Sequence, residues 1–561
     1  METKKLSPIR RFWLLLKPDK LEIRNIYIYA IIIGLLNLVL PIGIQSIINL
    51  IQGGAVNTSW VILIILVAAA IAMSGILQIN QLRITENLQQ KIFTRAAFEF
   101  TYRIPRIRLE QLFRQYAPEL MNRFFDIVSI QKGMTKILID FSSASIQVLF
   151  GLILLSLYHP FFIVFSLLLV VIIVSIFWLT MKRGLKTSLE ESKHKYSIAH
   201  WLEELARSNT TFKLAGNTDL PMKRTNEHAG NYTKARENHF TILRWQYSLM
   251  VVFKVLVAVG LLLIGGLLVI DQQMNIGQFV AAEIVILLIV SSVEKVILSF
   301  ETIYDVLTAL EKIGHVTDLE LEKDDGISLT PTDEGIELEL NDISYSYPQE
   351  RRLVIDNLSM EVKSKERLLI TGRNDSGKST LLYLVGGLLS PTQGSISIDG
   401  IPSHNYEYDQ LRSQIGGYLR DETLFEGTLL ENITLERENA TFENVKWAIK
   451  KLKLTQTIKQ LGDGYHTRIF PQGKQFSKST VAKILLARAI ADKPRLLLLE
   501  NSFSVFSNED RREILAFLLN RDHNWTVLLS SSQPLKLTNL IDHEIVLENG
   551  KIINEKHQKN A

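Results

Sequence analysis

The chain has 561 residues, of which 47% are apolar and 21% are charged, and its formal net charge is +4 at pH 7. This length exceeds that of one ordinary domain, and so small a net charge gives no indication of a nucleic-acid partner. The absence of cysteine from the sequence excludes a disulfide framework and thiolate metal sites. The excess of apolar residues lies almost entirely before residue 300, so the two parts of the chain differ in composition.

Six apolar stretches are long enough to cross a bilayer as helices, which takes about 20 residues each. They cover residues 26–51, 60–80, 138–158, 160–180, 246–270 and 276–298. No cleavable signal peptide is expected before the first stretch. The N-terminal segment and the two long connections, 81–136 and 181–244, are rich in Lys and Arg, whereas the three short connections lack them. The positive-inside rule therefore predicts a multi-pass protein with both termini and both long connections in the cytoplasm.

The long connections continue the helical periodicity of the spans, at residues 82–102 and 185–206. A structureless loop of that size is improbable, so we expect helix pairs that project from the membrane. They should turn near Pro105 and near residues 216–221. Their basic surface is interpreted either as a solvated helix face or as a docking surface for a cytoplasmic domain.

Three polar residues stand out within the spans, namely Gln45, Lys254 and Glu283. A charge in a span is costly and indicates a partner or a pathway. Lys254 lies near the inner end of its helix and Glu283 near the outer end of the next, so they are not expected to pair. Lys254 can extend to the membrane surface. Glu283 is a candidate for lining a pathway, or else a satisfied structural residue.

Residues 312–335 are polar and acidic and are predicted to form a linker. Short strand patterns then alternate with helices. The predicted strands are residues 336–340, 353–362, 367–371, 394–398, 496–499 and 526–529. This order predicts an α/β domain with a largely parallel sheet.

Residues 372–380 read GRNDSGKST, which fits the phosphate-binding pattern G-x-x-x-x-G-K-[ST] between a strand and a helix. The two glycines allow backbone N–H groups to converge on phosphate oxygens. Lys378 is expected to reach the β- and γ-phosphates, and the Ser379 hydroxyl to bind Mg²⁺. The alternative is a Gly-rich turn that carries Lys-Ser by accident, which the strand and helix context disfavours. The candidate nucleotide-binding residues of the loop are Gly372, Arg373, Asn374, Asp375, Ser376, Gly377, Lys378, Ser379 and Thr380.

Six spans followed by a domain with this loop resemble a half-size ABC exporter. In that family the nucleotide-binding domains of two subunits enclose two ATP molecules. SYSYP at 344–348 is similar to the family's adenine-stacking loop, which places Tyr347 on the base. Further stretches in the family's order are SPTQGSISIDG (390–400), IGGYLRDETLFEGTLLENI (415–433) and ILLARAIADKPRLLLLE (484–500). In the membrane half, LPIGIQSIINLI (40–51), LMNRFFDIVSIQK (120–132) and LTALEKIGHVTDLELE (307–322) look most like exporters of the hemolysin-secretion type.

The resemblance implies a multi-domain fold. A six-helix all-α transmembrane domain at 1–311 precedes the linker at 312–335 and an α/β P-loop ABC-type nucleotide-binding domain at 336–561. It implies ATP and Mg²⁺ as cofactors and a place in the bacterial inner membrane. The implied partners are the lipid bilayer, a second subunit, as a homodimer or a heterodimer with another half-transporter, and a secretion system.

The sequence departs from the family pattern at the positions that carry hydrolysis. The family's Asp-Glu pair after the apolar strand is here Glu500 and Asn501. Glu500 keeps a carboxylate that can bind Mg²⁺, whereas Asn501 is neutral and cannot accept a proton. The family's switch histidine aligns with Ser532 and its Mg²⁺-binding glutamine with Arg420. A guanidinium cannot ligate a cation, but it can contact the γ-phosphate.

The family's LSGGQ signature, which contacts the partner subunit's ATP, aligns with FSKST at 476–480. Ser477 remains a candidate ATP contact, but Lys478 and Ser479 replace the two glycines. Three hypotheses remain open. They are an exporter that binds ATP and closes as a dimer with weak or no hydrolysis, a non-pumping ATP-sensing regulator or secretion-assembly subunit, and a transporter that hydrolyses ATP unconventionally through Glu500 and Arg420.

Overall fold

The computed structural model consists of two compact units. The first comprises Met1–Pro105 and Arg114–Leu319, and the second comprises Arg106–Phe113 and Glu320–Ala561. The residues that the structure describes are 6–53, 58–113, 117–323, 325–329, 332–348, 350, 352–500, 503–532 and 539–557.

Helices account for nearly all of the described part of the first unit. In chain order up to residue 317 they are α1 (Pro8–Leu16), α2 (Lys20–Gln52), α3 (Thr58–Arg103), α4 (Leu109–Leu112), α5 (Ala117–Asn122), α6 (Asp126–Thr135), α7 (Ser142–Tyr158), α8 (Pro160–Arg207), α9 (Asn209–Ala215), α10 (Leu220–Ile270) and α11 (Ile276–Thr317). A π-helical turn, Lys136–Phe141, joins α6 to α7. Of these helices, α4 belongs to the second unit.

Among the described residues, six helical segments are long and apolar enough to cross a membrane, which confirms the predicted spans. Many exposed side chains in their apolar stretches are large and apolar, such as Leu167 and Trp178 on α8, as a lipid-facing surface requires. Helices α3 and α8 run well past their apolar stretches, as their periodicity predicts. Helix α11 continues to Thr317 and so enters the segment predicted as linker.

Local capping explains where neighbouring spans begin. Pro160 is the first residue of α8, where its missing N–H costs nothing, and the His159 ring accepts a hydrogen bond from the Phe161 N–H at 3.2 Å. Asn275 and Gln278 form a reciprocal capping box at the start of α11. The chain can therefore reverse direction in two very short connections.

The polar residues of the spans have partners that the sequence did not indicate. The Lys254 ammonium donates to Glu294 Oε2 at 2.6 Å, so Lys254 on α10 pairs with α11 rather than extending alone. Tyr158 donates to Gln45 Oε1 at 2.9 Å. Glu283, by contrast, is exposed on α11.

The second unit contains twelve strands in its described part. They are β1 (Leu338–Tyr345), β2 (Ile355–Val362), β3 (Arg367–Thr371), β4 (Gln393–Ile398), β5 (Ile401–Pro402), β6 (Ile415–Tyr418), β7 (Gly427–Thr428), β8 (Arg468–Ile469), β9 (Leu496–Leu499), β10 (Thr526–Ser531), β11 (His543–Glu548) and β12 (Lys551–His557). The accompanying helices are α12 (Lys378–Val385), α13 (Tyr408–Ser413), α14 (Leu429–Thr434), α15 (Phe442–Lys451), α16 (Thr455–Lys459), α17 (Lys478–Ile490) and α18 (Asn508–Leu518).

The main sheet has the strand order β12-β11-β3-β10-β9-β6 and is parallel except for β12. A second sheet, β2-β1-β4-β5, is antiparallel. The predicted α/β fold with a largely parallel sheet under the phosphate loop is confirmed, and the predicted strands near residues 336–362 and 394–398 form the separate antiparallel sheet. Pairing partners are long-range, and a strand pattern alone does not specify them.

The core of this unit lies on both faces of the main sheet. Leu497 and Leu499 of β9 join one apolar cluster, and Leu496 and Leu498 join the other. Because both faces are covered, the strand is apolar without alternation. Each such side chain contributes about 1.5–3 kcal/mol on burial, and together they hold the carboxyl end of β9, where Glu500 follows.

Residues Arg106–Phe113 lie between two membrane-type helices in the sequence but belong to the second unit. Leu109 packs against one of its apolar clusters, and Glu110 accepts a hydrogen bond from the Ser390 N–H at 3.1 Å. Chain order predicts that these residues belong to the transmembrane domain. Their contacts place them with the second unit instead.

Candidate nucleotide-binding site

The phosphate-binding loop connects β3 to α12 and has a backbone that only glycine adopts easily. Gly372 has φ 153° and Gly377 has φ 101°. A Cβ at Gly372 would lie 2.3 Å from the Leu547 carbonyl oxygen, and one at Gly377 would lie 2.8 Å from the Val354 carbonyl oxygen. The loop therefore has the close backbone approach expected for a phosphate cradle.

Lys378 is the first residue of α12, and its buried side chain folds back over the loop. Its ammonium donates to the carbonyl oxygens of Gly372 (2.9 Å) and Arg373 (2.6 Å) and to Ser376 Oγ (3.2 Å). Burial lowers the pKa of this ammonium below its ordinary value, an effect that two nearby carboxylates only partly offset. The charge is thus already held at the position where phosphate oxygens would be bound.

The carboxylate of Glu500 joins the loop to the end of β9. The Ser379 hydroxyl donates to Glu500 Oε1, and the Arg420 backbone N–H donates to Glu500 Oε2 at 2.7 Å. Mg²⁺ prefers hydroxyl and carboxylate oxygens in this kind of arrangement. The donor set formed by Ser379 and Glu500 therefore fits the metal that the sequence predicts there.

Tyr347 belongs to an aromatic cluster beside the loop. Its hydroxyl shares a hydrogen bond with Thr380 Oγ1 at 3.0 Å. Its ring centroid lies 5.2 Å from that of Tyr345 and 4.9 Å from that of Phe113, in both cases edge to face. The sequence did not indicate Phe113, because this residue comes from a distant part of the chain.

These groups surround an open cavity of about 820 Å³. The predicted site residues that line it are Tyr347, Asn374, Asp375, Ser376, Gly377, Lys378, Ser379, Thr380, Arg420, Glu500 and Ser532. Gly372, Arg373 and Ser477 are not among the described residues of its lining, and Asn501 lies outside the described residues. Arg352 and Asn549, which the sequence did not single out, also line the cavity and are hydrogen-bonded to each other at 3.3 Å.

The signature-like stretch forms the start of helix α17. Ser477 is the N-cap, and its Oγ accepts from the Thr480 N–H at 3.1 Å. Both Ser477 and Lys478 are exposed. The structure therefore brings Ser477 to an exposed helix N-terminus and not to the cavity of its own chain.

A titratable carboxyl lies two residues beyond Arg420. Burial raises the pKa of Glu422 to about 7, although the Leu419 N–H and the Arg488 guanidinium favour its charged form. Glu422 Oε1 accepts from that N–H at 3.2 Å, and Oε2 lies 3.8 Å from Arg488. The Glu422 carboxyl therefore takes up a proton more readily than an ordinary glutamate does.

Membrane-type helices and a phosphate-binding loop on a parallel sheet together define a membrane protein with an attached nucleotide-binding domain. A family model described as ABC transporter matches residues 355–504, and one described as ABC transporter transmembrane region matches residues 23–293. The chain belongs to the ABC transporter family, as a half-size exporter with both domains fused. This confirms the resemblance found in the sequence.

Several known proteins resemble this chain in sequence or in structure. The alpha-hemolysin translocation ATP-binding protein HlyB of Escherichia coli is 27% identical over 315 residues, which are 56% of this chain and 44% of HlyB. The lactococcin-A transport/processing ATP-binding protein LcnC of Lactococcus lactis subsp. lactis is 25% identical over 98% of this chain and 76% of LcnC. This chain spans about half the length of curated relatives such as HlyB. A solved bacterial Atm1-family ABC exporter with ATP bound has a TM-score of 0.85 and 17% identity over 96% of this chain and 95% of its own, which shows the shared fold.

Proposed function

We propose that the protein is an exporter subunit that binds Mg-ATP, closes as a dimer around it and moves a protein or peptide across the membrane, with slow or no ATP hydrolysis. The observation that carries this proposal is the composition of one cavity. Lys378 and Ser379 of an intact phosphate-binding loop line it together with Arg420 and Ser532, which stand where the family has its hydrolytic side chains.

Binding of ATP follows from the loop. Its glycine backbone leaves room for phosphate oxygens, the N-terminus of α12 favours negative charge, and Lys378 adds a cation. Ser379 and Glu500 would hold Mg²⁺, which neutralises phosphate charge when it is bound. Tyr347 supplies an aromatic surface for the base.

Slow hydrolysis follows from the side chains that differ from the family. Asn501 cannot act as a general base, and the loss of a base costs typically about 10²- to 10⁴-fold in rate. Ser532 is too short to replace an imidazole. Arg420 already uses its backbone N–H to hold Glu500, while its guanidinium can contact a phosphate but not a metal.

A dimer is needed because the family completes each ATP site with the signature of the other subunit. Ser477 caps an exposed helix outside its own cavity, which suits a contact with a second subunit. Lys478 and Ser479 put side chains where that contact requires close backbone approach. A catalytically active partner in a heterodimer would therefore still meet this altered signature.

The proposed cargo rests on relatives alone. HlyB is described as a translocation protein for alpha-hemolysin and LcnC as a transport and processing protein for lactococcin-A. A second candidate is an ATP-sensing membrane regulator that does not pump. The altered hydrolytic positions favour it, since sensing requires binding but not turnover.

The test uses the full chain in lipid nanodiscs, alone and with any co-purifying subunit. ATP at a hundred times its dissociation constant should stabilise the fold by about 2.7 kcal/mol, and Lys378→Ala should abolish that gain. Phosphate release should be as slow in the unmodified protein as in Lys378→Ala. Brisk release that depends on Lys378 would contradict slow hydrolysis and favour the unconventional route. In a secretion assay, loss of export in Lys378→Ala would support the exporter, whereas export that is independent of the protein would favour the regulator.

Restoring the family's residues provides a gain of function. Asn501→Glu alone should raise turnover little, because a base without a correctly held metal and phosphate has nothing to act on. Together with Ser532→His, Arg420→Gln and LSGGQ at residues 476–480, it should raise turnover by more than the product of the single effects. A combined gain in turnover equal to the product of the single gains would show that these positions do not act as one unit.

A further inference from the structure

A second polar cavity lies at the amino ends of parallel strands, at the end of the main sheet opposite the phosphate-binding loop. Gln414, Arg495 and Trp525 directly precede β6, β9 and β10, and all three line it. Its volume is about 1230 Å³, against about 820 Å³ for the nucleotide cavity. Glu500 follows the other end of β9, about 13 Å away for a strand of this length. This cavity is therefore separate from the nucleotide-binding site.

A buried carboxylate in the wall of this cavity has one oxygen without a donor. The Asp492 side chain is 3% exposed, and its Oδ1 has no hydrogen-bond partner in the part of the chain that the structure describes. Its Oδ2 lies 3.4 Å from Arg437 Nη1. Burial raises the pKa of the Asp492 carboxyl, and Arg437 offsets this only in part. A buried carboxylate oxygen without a donor is costly, so this wall favours a ligand that donates a hydrogen bond.

A histidine nitrogen in the same wall is a second acceptor. His523 lines the cavity, and its Nε2 is buried without a hydrogen-bond partner among the described residues. Burial lowers the pKa of the imidazole, and the charges of Arg367 and Lys451 act in the same direction, against a hydrogen bond to the Phe517 backbone. The neutral form of the ring is therefore favoured. A neutral ring that donates to a backbone carbonyl through its other nitrogen presents a lone pair at Nε2.

The charges around the cavity are unequal. Four further carboxylates line it and are exposed, namely those of Asp333, Glu436, Glu438 and Asp522. Among the cations of the described lining, Arg495 is paired with Asp399 at 2.8 Å, and Arg437 donates to the Arg488 carbonyl oxygen at 2.6 Å. Lys493 is exposed and is the remaining cation of that lining. The cavity therefore has a surplus of negative charge, which attracts cations.

An indole ring gives the cavity an apolar surface. Trp447 lines the cavity and is half-buried. Its ring centroid lies 5.7 Å from that of Phe517 and 6.2 Å from that of His523, in both cases edge to face. These contacts hold the ring in place. The face of an indole attracts an organic cation and packs against its methylene groups.

Water and metal ions match this combination less well. Water can donate to both acceptors, but it does not balance the surplus of carboxylates and gains nothing from the indole. Among the described residues of this cavity, no three carboxylate or imidazole groups come close enough together to hold a metal ion. An organic cation supplies N–H donors, positive charge and an apolar body at once.

We infer that this cavity binds an alkylammonium group, as in an aliphatic polyamine or a lysine side chain, with Asp492 and His523 as hydrogen-bond acceptors and Trp447 packed on its methylene groups. The exposed carboxylates would hold the further charges of a polyamine. Free polyamines and a lysine of a polypeptide share this chemistry, and the experiment separates them. The inference does not depend on the proposed function, because it uses no residue of the nucleotide cavity.

The experiment measures spermidine binding by calorimetry to the full chain in phosphatidylcholine nanodiscs, at about 0.15 M salt and without nucleotide. Empty nanodiscs provide the blank. Saturable binding is expected in the unmodified protein. Asp492→Asn should weaken it about 10- to 100-fold, as loss of a hydrogen bond to a charged group does, and Trp447→Leu about 2- to 30-fold. The Glu436→Gln/Glu438→Gln variant changes only exposed side chains and should weaken binding about 2- to 5-fold.

Two further probes define the ligand. N-acetyl-lysine amide carries a lysine side chain between two amide groups. Tighter binding of this probe than of spermidine would support a polypeptide as the source of the ammonium, and the reverse would support a free polyamine. Tetramethylammonium has the charge but no N–H donor, so it should not compete with spermidine. Competition as strong as that of N-acetyl-lysine amide would contradict the roles of Asp492 and His523.

The matched control is Asp463→Asn, which neutralises an exposed aspartate of the same unit that is not among the described residues of the cavity lining. It should bind spermidine as the unmodified protein does. ATP should stabilise Asp492→Asn and Asp463→Asn equally, which shows that both are folded and keeps this test distinct from that of ATP binding. Three results would overturn the inference: no saturable binding of either ammonium probe, unchanged binding in Asp492→Asn together with the Glu436→Gln/Glu438→Gln variant, or an equal loss of binding in Asp463→Asn.

Discussion

Gly377→Ala tests the phosphate-binding loop more directly than removal of a charge does. The substitution adds one carbon atom and changes neither charge nor polarity. At Gly377 the backbone has φ 101°, and the new Cβ would lie 2.8 Å from the Val354 carbonyl oxygen and 2.9 Å from Ile355 Cδ1. The side chain of Ile355 can rotate, but the carbonyl of Val354 is backbone and cannot move without shifting its strand connection.

The magnitude follows from these two effects. A non-glycine residue at positive φ costs about 1–2 kcal/mol, and strained backbone at a functional site costs up to about 3 kcal/mol. The loop can relieve this strain by leaving the phosphate-binding shape, which ATP must then restore. At 1.4 kcal/mol for each tenfold change, ATP affinity should fall about 5- to 150-fold.

The assay is an ATP titration followed by the unfolding temperature of the full chain in nanodiscs. Gly462→Ala is the matched control, because a Cβ added there meets no described atom within 4 Å and both variants lose one glycine. The control should bind ATP as the unmodified protein does. If Gly377→Ala bound ATP within twofold of the control, the loop would not be a glycine-dependent phosphate cradle.

Three further predictions concern other groups. The raised pKa of Glu422 means that its protonated form is favoured in the folded state, so it lowers the free energy of unfolding as pH rises from about 4.5 to about 7, by up to about 3 kcal/mol. Glu422→Gln should remove this pH dependence from thermal unfolding, and a parallel pH profile would contradict the assignment. Lys254→Met should destabilise the protein more than the Lys254→Met/Glu294→Gln double variant, with a coupling of about 0.5–3 kcal/mol; additive effects on denaturation would show that the pair contributes nothing. If Glu283 lines a pathway, Glu283→Gln should alter export or its pH dependence without loss of folded protein, and unchanged export would leave it a structural residue.

Much of this protein could be predicted from its sequence because the relevant signals are local. Membrane spans depend on about 20 consecutive apolar residues, and all six predicted spans coincide with long helices. The residues of the phosphate-binding loop are adjacent in the chain, so the spacing of Gly372, Gly377 and Lys378 alone specified their geometry. The position of Glu500 at the end of a strand could be predicted for a similar reason, since it directly follows a short run of apolar residues.

Contacts between distant residues could not be predicted in this way. Lys254 finds Glu294 because α10 packs beside α11, and Phe113 reaches Tyr347 because residues 106–113 pack with the second unit. His543 and His557 are neighbours because of the register of one antiparallel strand pair, β11 and β12. Helix periodicity and motif spacing involve residues that are close in the chain, so they can be recognised from the sequence. Helix packing and strand register bring together residues that are far apart in the chain, so only the folded structure determines them.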